Sequence, residues 1–366
     1  MKVTLFALVF MSVVSIGCAP ANAEPPTRQE RIDASPQWNG KSFQNPVPTP
    51  DPSMGEMVSM AWEFFFNKPK GGSIDPPFEA EPVDWATWPS DLPVQFAWLG
   101  HTTYLLQVEG KWILTDPMFS QKAGAFGPFS PQRFSTLPLT IDQLPPIDLV
   151  LITHDHFDHL DETSIKKLIS KTDRFIVPLA VGRYLEDWGV PLEQITELAW
   201  WEAARFEGLT LTSAPAQHFS GRSLFNRDQT LWTSYAIKGE QTSLYLSGDT
   251  GFHPGLVEIG ERLGPFDVTF FEMGAYGEYR GWKEIHCTPE EAVQAHQMVR
   301  GKLLVPSHWG TFDLAMFAWH EPIERFVAAA DQAGIAYLTP KFGERINPGH
   351  VGGKERWWRP FMEPKP

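Results

Sequence analysis

The chain has 366 residues, 42% of them hydrophobic and 20% charged, with a formal net charge of −14. The apolar fraction excludes a disordered chain despite 33 prolines. The acidic balance repels phosphate backbones and so excludes a non-specific nucleic-acid binder, though a phosphorylated small substrate stays compatible if a metal supplies local positive charge.

Residues 1–23, MKVTLFALVFMSVVSIGCAPANA, read as a signal peptide. Lys2 precedes an apolar run from Val3 to Gly17 that is too short to span a bilayer comfortably. Two processing sites compete. Ala21-Asn22-Ala23 would leave Glu24 as the first mature residue. Ile16-Gly17-Cys18 resembles a bacterial lipobox that would leave a lipidated Cys18, although Ser15 stands where a large aliphatic residue is usual. Either way the expectation is export, to the periplasm or to a membrane-anchored lipoprotein. With Cys18 removed or lipidated, Cys287 remains as a lone cysteine, so stability has to come from the core and a metal and not from a disulfide.

Residues 24–92 are proline-rich, as in NPVPTPDPS and SIDPPFEAEP, and read as an extended arm laid over a domain. Within them MVSMAWEFFFNK, Met57 to Lys68, is a short apolar helix candidate, either buried or facing lipid or substrate. The main domain then spans 93–366. VQFAWLG, TYLLQVEG and KWILTD read as consecutive strands separated by Gly-containing turns. IDLVLIT is a continuous apolar run, the pattern of a strand buried on both faces. DETSIKKLIS follows as a helix with Asp161 as N-cap and Ile165, Leu168 and Ile169 on one face. RFIVPL, LTLTSAP, SYAIKG, TSLYLSGD, DVTFFEMG and KLLVPSH read as further strands, with PEEAVQAHQMV and EPIERFVAAADQAG as helices. Strands interspersed with helices predict an α/β sandwich of two sheets.

The densest chemistry is HDHFDH, directly after IDLVLIT. His154 and His156 are two apart, which aims both to one side, while Asp158 and His159 follow a bend and face a second point. Imidazole and carboxylate suit zinc, and equally manganese or iron. Further ligands are expected where a polar residue ends another apolar run: His218 after LTLTSAPAQ, Asp249 after SLYLSG, and His308 after KLLVPS.

HDHFDH with a later His, then SGDTG and SHWG, resembles the metallo-β-lactamase superfamily. WLGHTTYLLQVEGKWILTDPMFS, ELAWWE, GPFDVTFFEMGAY, IHCTPEEAV and HWGTF are similar to its N-acylphosphatidylethanolamine-hydrolysing phospholipase D branch, from about Phe43 to about Arg345. The resemblance implies an αβ/βα four-layer sandwich with the site at the sheet edges. It implies one zinc on His154, His156 and His218, a second on Asp158, His159 and His308, and Asp249 as the bridge. A homodimer and a phospholipid substrate also follow from it, and His286 in IHCTPEEA matches a histidine of the branch, as a substrate contact or leaving-group acid.

Two metals sharing a water generate hydroxide at neutral pH, and the electrophile can be a phosphodiester or a carbonyl. Arg222, shortly after His218, is the candidate clamp for a phosphate oxygen. His101 is expected to pack or to support a ligand, and His253 to line the pocket; His296, His320 and His350 read as surface or structural. The expected activity is a phosphodiesterase on N-acylphosphatidylethanolamine-like lipids. The alternatives are a lactonase or β-lactam hydrolase with the same metals, and a non-catalytic envelope protein.

Overall fold

A computed structural model of the chain describes residues 25–50, 53–68, 71–124, 127, 130–223, 225–277, 281–349 and 355–362. Residues 1–24, with Cys18 and both expected processing sites, and His350 lie outside the described residues.

Two short helices, α1 (Arg28–Ala34) and α2 (Met54–Phe66), precede the sheets. Each begins with a capping box, Thr27 with Glu30 and Ser53 with Glu56, which satisfies two otherwise orphaned donors. The first sheet is built from β1 (Val94–Gly100), β2 (Thr103–Val108), β3 (Lys111–Thr115), β4 (Ile147–Leu151), β5 (Thr172–Pro178) and β6 (Ile195–Leu198), side by side in that order. β1 to β3 form an antiparallel meander, and β3 to β6 run parallel. α3 (Glu162–Leu168) and α4 (Gly182–Asp187) lie in the connections after β4 and β5. Asp161 caps α3 as its sequence suggests, with its carboxylate accepting the Ser164 N–H.

The second sheet begins with the antiparallel strands β7 (Ala203–Phe206), β8 (Leu209–Ala214), β9 (Ser234–Lys238) and β10 (Ser243–Leu246). It continues in parallel through β11 (Phe266–Glu272), β12 (Gly301–Ser307) and β13 (Ala336–Tyr337). α5 (Gly255–Arg262), α6 (Pro289–Met298) and α7 (Glu321–Ala333) fill its crossovers, and β14 (Arg345–Ile346) returns to the free edge of β1.

Alternation along β1 to β4 divides the core. Phe96, Trp98, Leu106, Ile113 and Leu149 join Leu211, Tyr235, Leu244 and Phe270 in one cluster with the inner faces of α5 to α7. Ala97, Leu105, Leu114 and Val150 point the other way, to Ile165 and Leu168 of α3 and Leu185 of α4. The result is a helix–sheet–sheet–helix sandwich, the architecture expected from the sequence.

The proline-rich extension is tied into this sandwich. Ile32 of α1 packs with Leu179, Trp200 and Trp232, and Phe78 is 1% exposed within the main core. The C-terminal segment is anchored likewise by Trp358, which is fully buried.

Candidate metal centre

The seven predicted ligands all leave strand ends at one edge of the sandwich. His154, His156, Asp158 and His159 follow β4 of the first sheet; His218, Asp249 and His308 follow β8, β10 and β12 of the second. His154 Nε2 lies 2.9 Å from His156 Nδ1, which is 3.2 Å from His218 Nε2. Asp158 Oδ2 lies 3.5 Å from His159 Nε2 and 3.7 Å from His308 Nε2. Asp249 Oδ2 sits between the two sets, 3.2 Å from His159 and 3.1 Å from His308, and 3.9 Å and 3.8 Å from His154 and His218. A tetrahedral shell with zinc–nitrogen bonds of ~2.0–2.1 Å has ligand–ligand edges of ~3.3 Å, so these separations are those of donors around common ions.

The electrostatics agree with a cation site. Burial, then the neighbouring imidazoles, holds His154 well below its usual range. Burial and His218 hold His156 down to about 3, and burial likewise takes His218 down to about 3. Three neutral imidazoles with converging lone pairs are what a metal requires. In the second set burial opposes the charge, but Asp249 and Asp158 hold His159 well above its usual range, and Asp249 raises His308. Asp158 and Asp249 are held well below theirs despite burial, chiefly by His159. In the metal-free chain those carboxylates favour the protonated form of both imidazoles. His159 Nε2, His308 Nε2 and Asp249 Oδ1 are buried and make no hydrogen bond, which is costly unless something else binds them. The donor set therefore fits two metal ions.

Three of the ligands, His159, His218 and Asp158, are held from behind. Asp116 accepts from the Thr153 N–H at 2.8 Å and faces His159 Nδ1 at 2.9 Å, which turns Nε2 into the centre. His218 Nδ1 is 3.0 Å from the Ile285 carbonyl. His101 Nε2 is 2.9 Å from Asp158 Oδ2, so His101 supports a ligand, one of the two roles expected for it. His101, Asp116 and His308 have φ of 55°, 34° and 64°, the left-handed region, a departure that costs ~1–3 kcal/mol each and clusters at functional sites. From the extension, Asn45 grips the His218 backbone on both sides: its Nδ2 donates to the carbonyl at 2.7 Å and its Oδ1 accepts the N–H at 2.9 Å.

A pocket of about 250 Å³ opens over the donors, walled by Met57, Phe219, Arg227, Trp282, Ile285 and Leu314, with His286 on its lining. The structure does not place Arg222 there. Its Nη1 donates to the carbonyls of Asp155 and Leu160, both at 2.8 Å, and its guanidinium lies 4.0 Å from the Phe157 ring centre. Asp155 Oδ1 accepts the Gly221 N–H and draws the segment after His218 behind the HDHFDH loop, so Arg222 braces that loop and is no phosphate clamp. Among the described residues the cation on the pocket wall is Arg227, 4.4 Å from the Phe219 ring centre. His253 is buried away from the pocket lining, also against expectation. His296 bonds Thr269 under β11, and His320 sits at the start of α7. Phe134 is core, and Phe126 and Phe129 lie outside the described residues.

Sequence reading missed Asp116, Asn45, Arg227 and Glu272. The last was accessible by the rule that found Asp249 and His308, since it is the polar stop of the apolar strand DVTFFE.

Residues 111–309 match the family model described as the β-lactamase superfamily domain. The chain belongs to the metallo-β-lactamase superfamily. An uncharacterised protein of Mycobacterium tuberculosis is 42% identical over 267 residues, covering 72% of this chain and 71% of that one. The N-acyl-phosphatidylethanolamine-hydrolyzing phospholipase D 1 of Caenorhabditis elegans is 29% identical over 354 residues, 89% of this chain and 97% of its own. The solved isothiocyanate hydrolase from Delia radicum gut bacteria superposes with a TM-score of 0.56 at 22% identity, over 69% of this chain and 98% of that one, a likeness of fold. The chain is a metal-dependent hydrolase, and the reading as a non-catalytic envelope protein is set aside.

Proposed function

We propose that this hydrolase is a dinuclear zinc phosphodiesterase that cleaves N-acylphosphatidylethanolamine-like phospholipids at a lipid surface, releasing phosphatidic acid and an N-acylethanolamine. The observation that carries the reading is a polar two-centre donor set at the floor of an apolar pocket whose rim is α2. Met57 of α2 lines the pocket, while Met54, Val58, Trp62 and Phe66, spaced four apart, form an exposed apolar stripe on the same helix. Lys68, just past its end, bonds the Asp313 carbonyl and fixes the helix beside Leu314 of the pocket. Such a stripe on a short helix suits shallow insertion among lipid headgroups. Among the described residues no helix is long and apolar enough to cross a membrane. The names of the worm and yeast relatives supply the substrate class. Export, by either processing route, would bring the pocket to phospholipid.

When bound, the two ions supply an activated water and neutralise charge on phosphate oxygens. The chain's own residues do the rest. Asp116, His101 and the Ile285 carbonyl hold the ligands in aim. Arg227 faces a non-bridging phosphate oxygen. The apolar wall of Met57, Phe219 and Leu314 takes acyl chain and excludes water. His286 stands beside the leaving oxygen and protonates it.

The test is turnover of the purified, zinc-loaded chain from Glu24 on N-acylphosphatidylethanolamine vesicles, beside a lactone panel and Asp249→Ala. The expected result is phosphatidic acid from the native enzyme, and no turnover with reduced metal content in the variant. Lactone opening without phospholipid cleavage would remove the phosphodiester reading and leave the hydrolase.

A further inference from the structure

β11 lies between β10 and β12, and all three run parallel, so the residue ending β11 emerges at the same edge as Asp249 and His308. That residue is Glu272, with 0% of its surface exposed. A carboxyl there is unfavourable. Burial and the charge of Asp249 both push it well above the usual carboxylate range. An aliphatic side chain would fill the space without that cost, so the carboxyl has a polar task.

Its contacts show what the task is. Glu272 Oε1 accepts the Cys287 N–H at 2.8 Å and lies 3.3 Å from His286 Nδ1. One carboxyl oxygen thus fixes both the backbone next to His286 and one edge of its ring. Oε2 is buried, with the Thr250 backbone next to the carboxyl. His286 belongs to the segment before α6 and not to a strand. Around its ring lie three others, His218 at 4.9 Å, His308 at 5.6 Å and Trp282 at 6.1 Å between centres. With Nδ1 turned to Glu272, Nε2 is at the other edge of a ring that lines the pocket.

We propose that Glu272 is a positioning residue for His286: its carboxyl hydrogen-bonds Nδ1, so that Nε2 faces the pocket and gives its proton to the leaving-group oxygen. This deepens the phosphodiesterase reading and rests on it. The step balances. The oxygen of one water bonds to phosphorus, and the P–O bond to the leaving group breaks with its electron pair on that oxygen. Nε2 donates its proton there, and the proton shed by the water returns to the Glu272–His286 pair. In the reactive form that pair carries one proton between Oε1 and Nδ1 and a second on Nε2, whether written as carboxyl–imidazole or as carboxylate–imidazolium.

A residue that only supports the fold would lower all turnover alike, whereas one acting through a leaving-group acid matters only when the leaving group needs a proton. The experiment compares an alkyl phosphodiester with a p-nitrophenyl phosphodiester, whose leaving group departs without help, in the zinc-loaded native enzyme, Glu272→Gln, His286→Ala and the double variant. Metal content is measured on each. Glu272→Gln is expected to reduce kcat on the alkyl substrate by about 10–100-fold, the usual range for a partner behind a functional group. The fall on the nitrophenyl substrate is expected to be at least ten times smaller, with KM little changed and both metals retained. In the His286→Ala background the Glu272 substitution should add nothing. Equal losses on both substrates, additive losses in the double variant, or loss of metal would overturn the proposal. Should Glu272→Gln not fold, Glu272→Asp keeps the carboxyl and withdraws it from Nδ1, and the same selective loss is required of it. If the native enzyme opens carboxylic esters and no phosphodiesters, the phosphodiesterase reading falls, and Glu272 is judged by the same criterion on alkyl and nitrophenyl esters.

Discussion

Replacing Arg222 with alanine removes two charged hydrogen bonds, from Nη1 to the carbonyls of Asp155 and Leu160, together with its position over the Phe157 ring. A hydrogen bond from a charged donor contributes about 1.5–3 kcal/mol, and a partly desolvated cation–π contact about 1 kcal/mol. The site is only partly buried, so water reaches the stripped carbonyls and the loss falls at the lower end, about 4 kcal/mol. With a urea dependence near 3 kcal/mol per molar for a chain of this size, the unfolding midpoint of the metal-free protein drops by about 1 M. Because the two carbonyls flank Phe157, Asp158 and His159, the slackened loop also weakens metal binding. Turnover on phosphodiesters and on any carbonyl substrate therefore falls together. Urea titration and a two-substrate assay check both halves. A variant of native stability that loses phosphodiester turnover alone would show that the arginine serves the phosphate after all.

Asn45→Ala should lower zinc affinity about 10–100-fold while the fold persists, because the clamp on the His218 backbone is lost; competition with a chelating dye reads it, and unchanged affinity would remove the extension from the site. Trp62→Asp should cut sedimentation with anionic phospholipid vesicles more than tenfold and leave turnover of a soluble phosphodiester intact. Equal binding to vesicles would refute the role of the α2 stripe. Acid should destabilise the metal-free chain from about pH 6.5 downward. His156 and His218 sit near 3, and His286, His253 and His296 near 4, so between those values and the ordinary imidazole range the unfolded chain binds more protons and stability falls with pH. His159 and His308, with raised values, act in the opposite sense, contributing stability at low pH that fades as pH rises. With His101 near 3 and His154 well below its usual range, the lowered histidines number seven and outnumber the two raised ones, so a midpoint that stays flat from pH 7 to 5 would contradict the assignment.

The ligand set was legible because each member is the polar residue that ends an apolar strand, and strands of one sandwich deliver their ends to a common edge. The same periodicity gave α3 with its Asp161 cap, as well as α6 and α7. What escaped depends on direction and on distance along the chain. Arg222 is four residues past His218, but adjacency does not say on which side of the loop a segment turns, and the Asp155 bond to Gly221 turned it behind. Asn45 meets His218 across 173 positions, and no local pattern announces such a contact. β13 and β14, two residues each, carry too little pattern to be seen. α1 and α4 are short helices of mixed polarity whose partners lie far away in sequence.

The four donors after β4 come from one sheet and the three after β8, β10 and β12 from the other, so ions held among them rivet the halves of the sandwich together. Saturation at a thousand times the dissociation constant adds about 4 kcal/mol per ion, a sizeable share of the 5–15 kcal/mol that holds an ordinary domain folded. Metal supply would then govern how long the molecule survives as well as whether it works. Where metal is scarce, copies without it would be the less stable ones and the first that proteases clear.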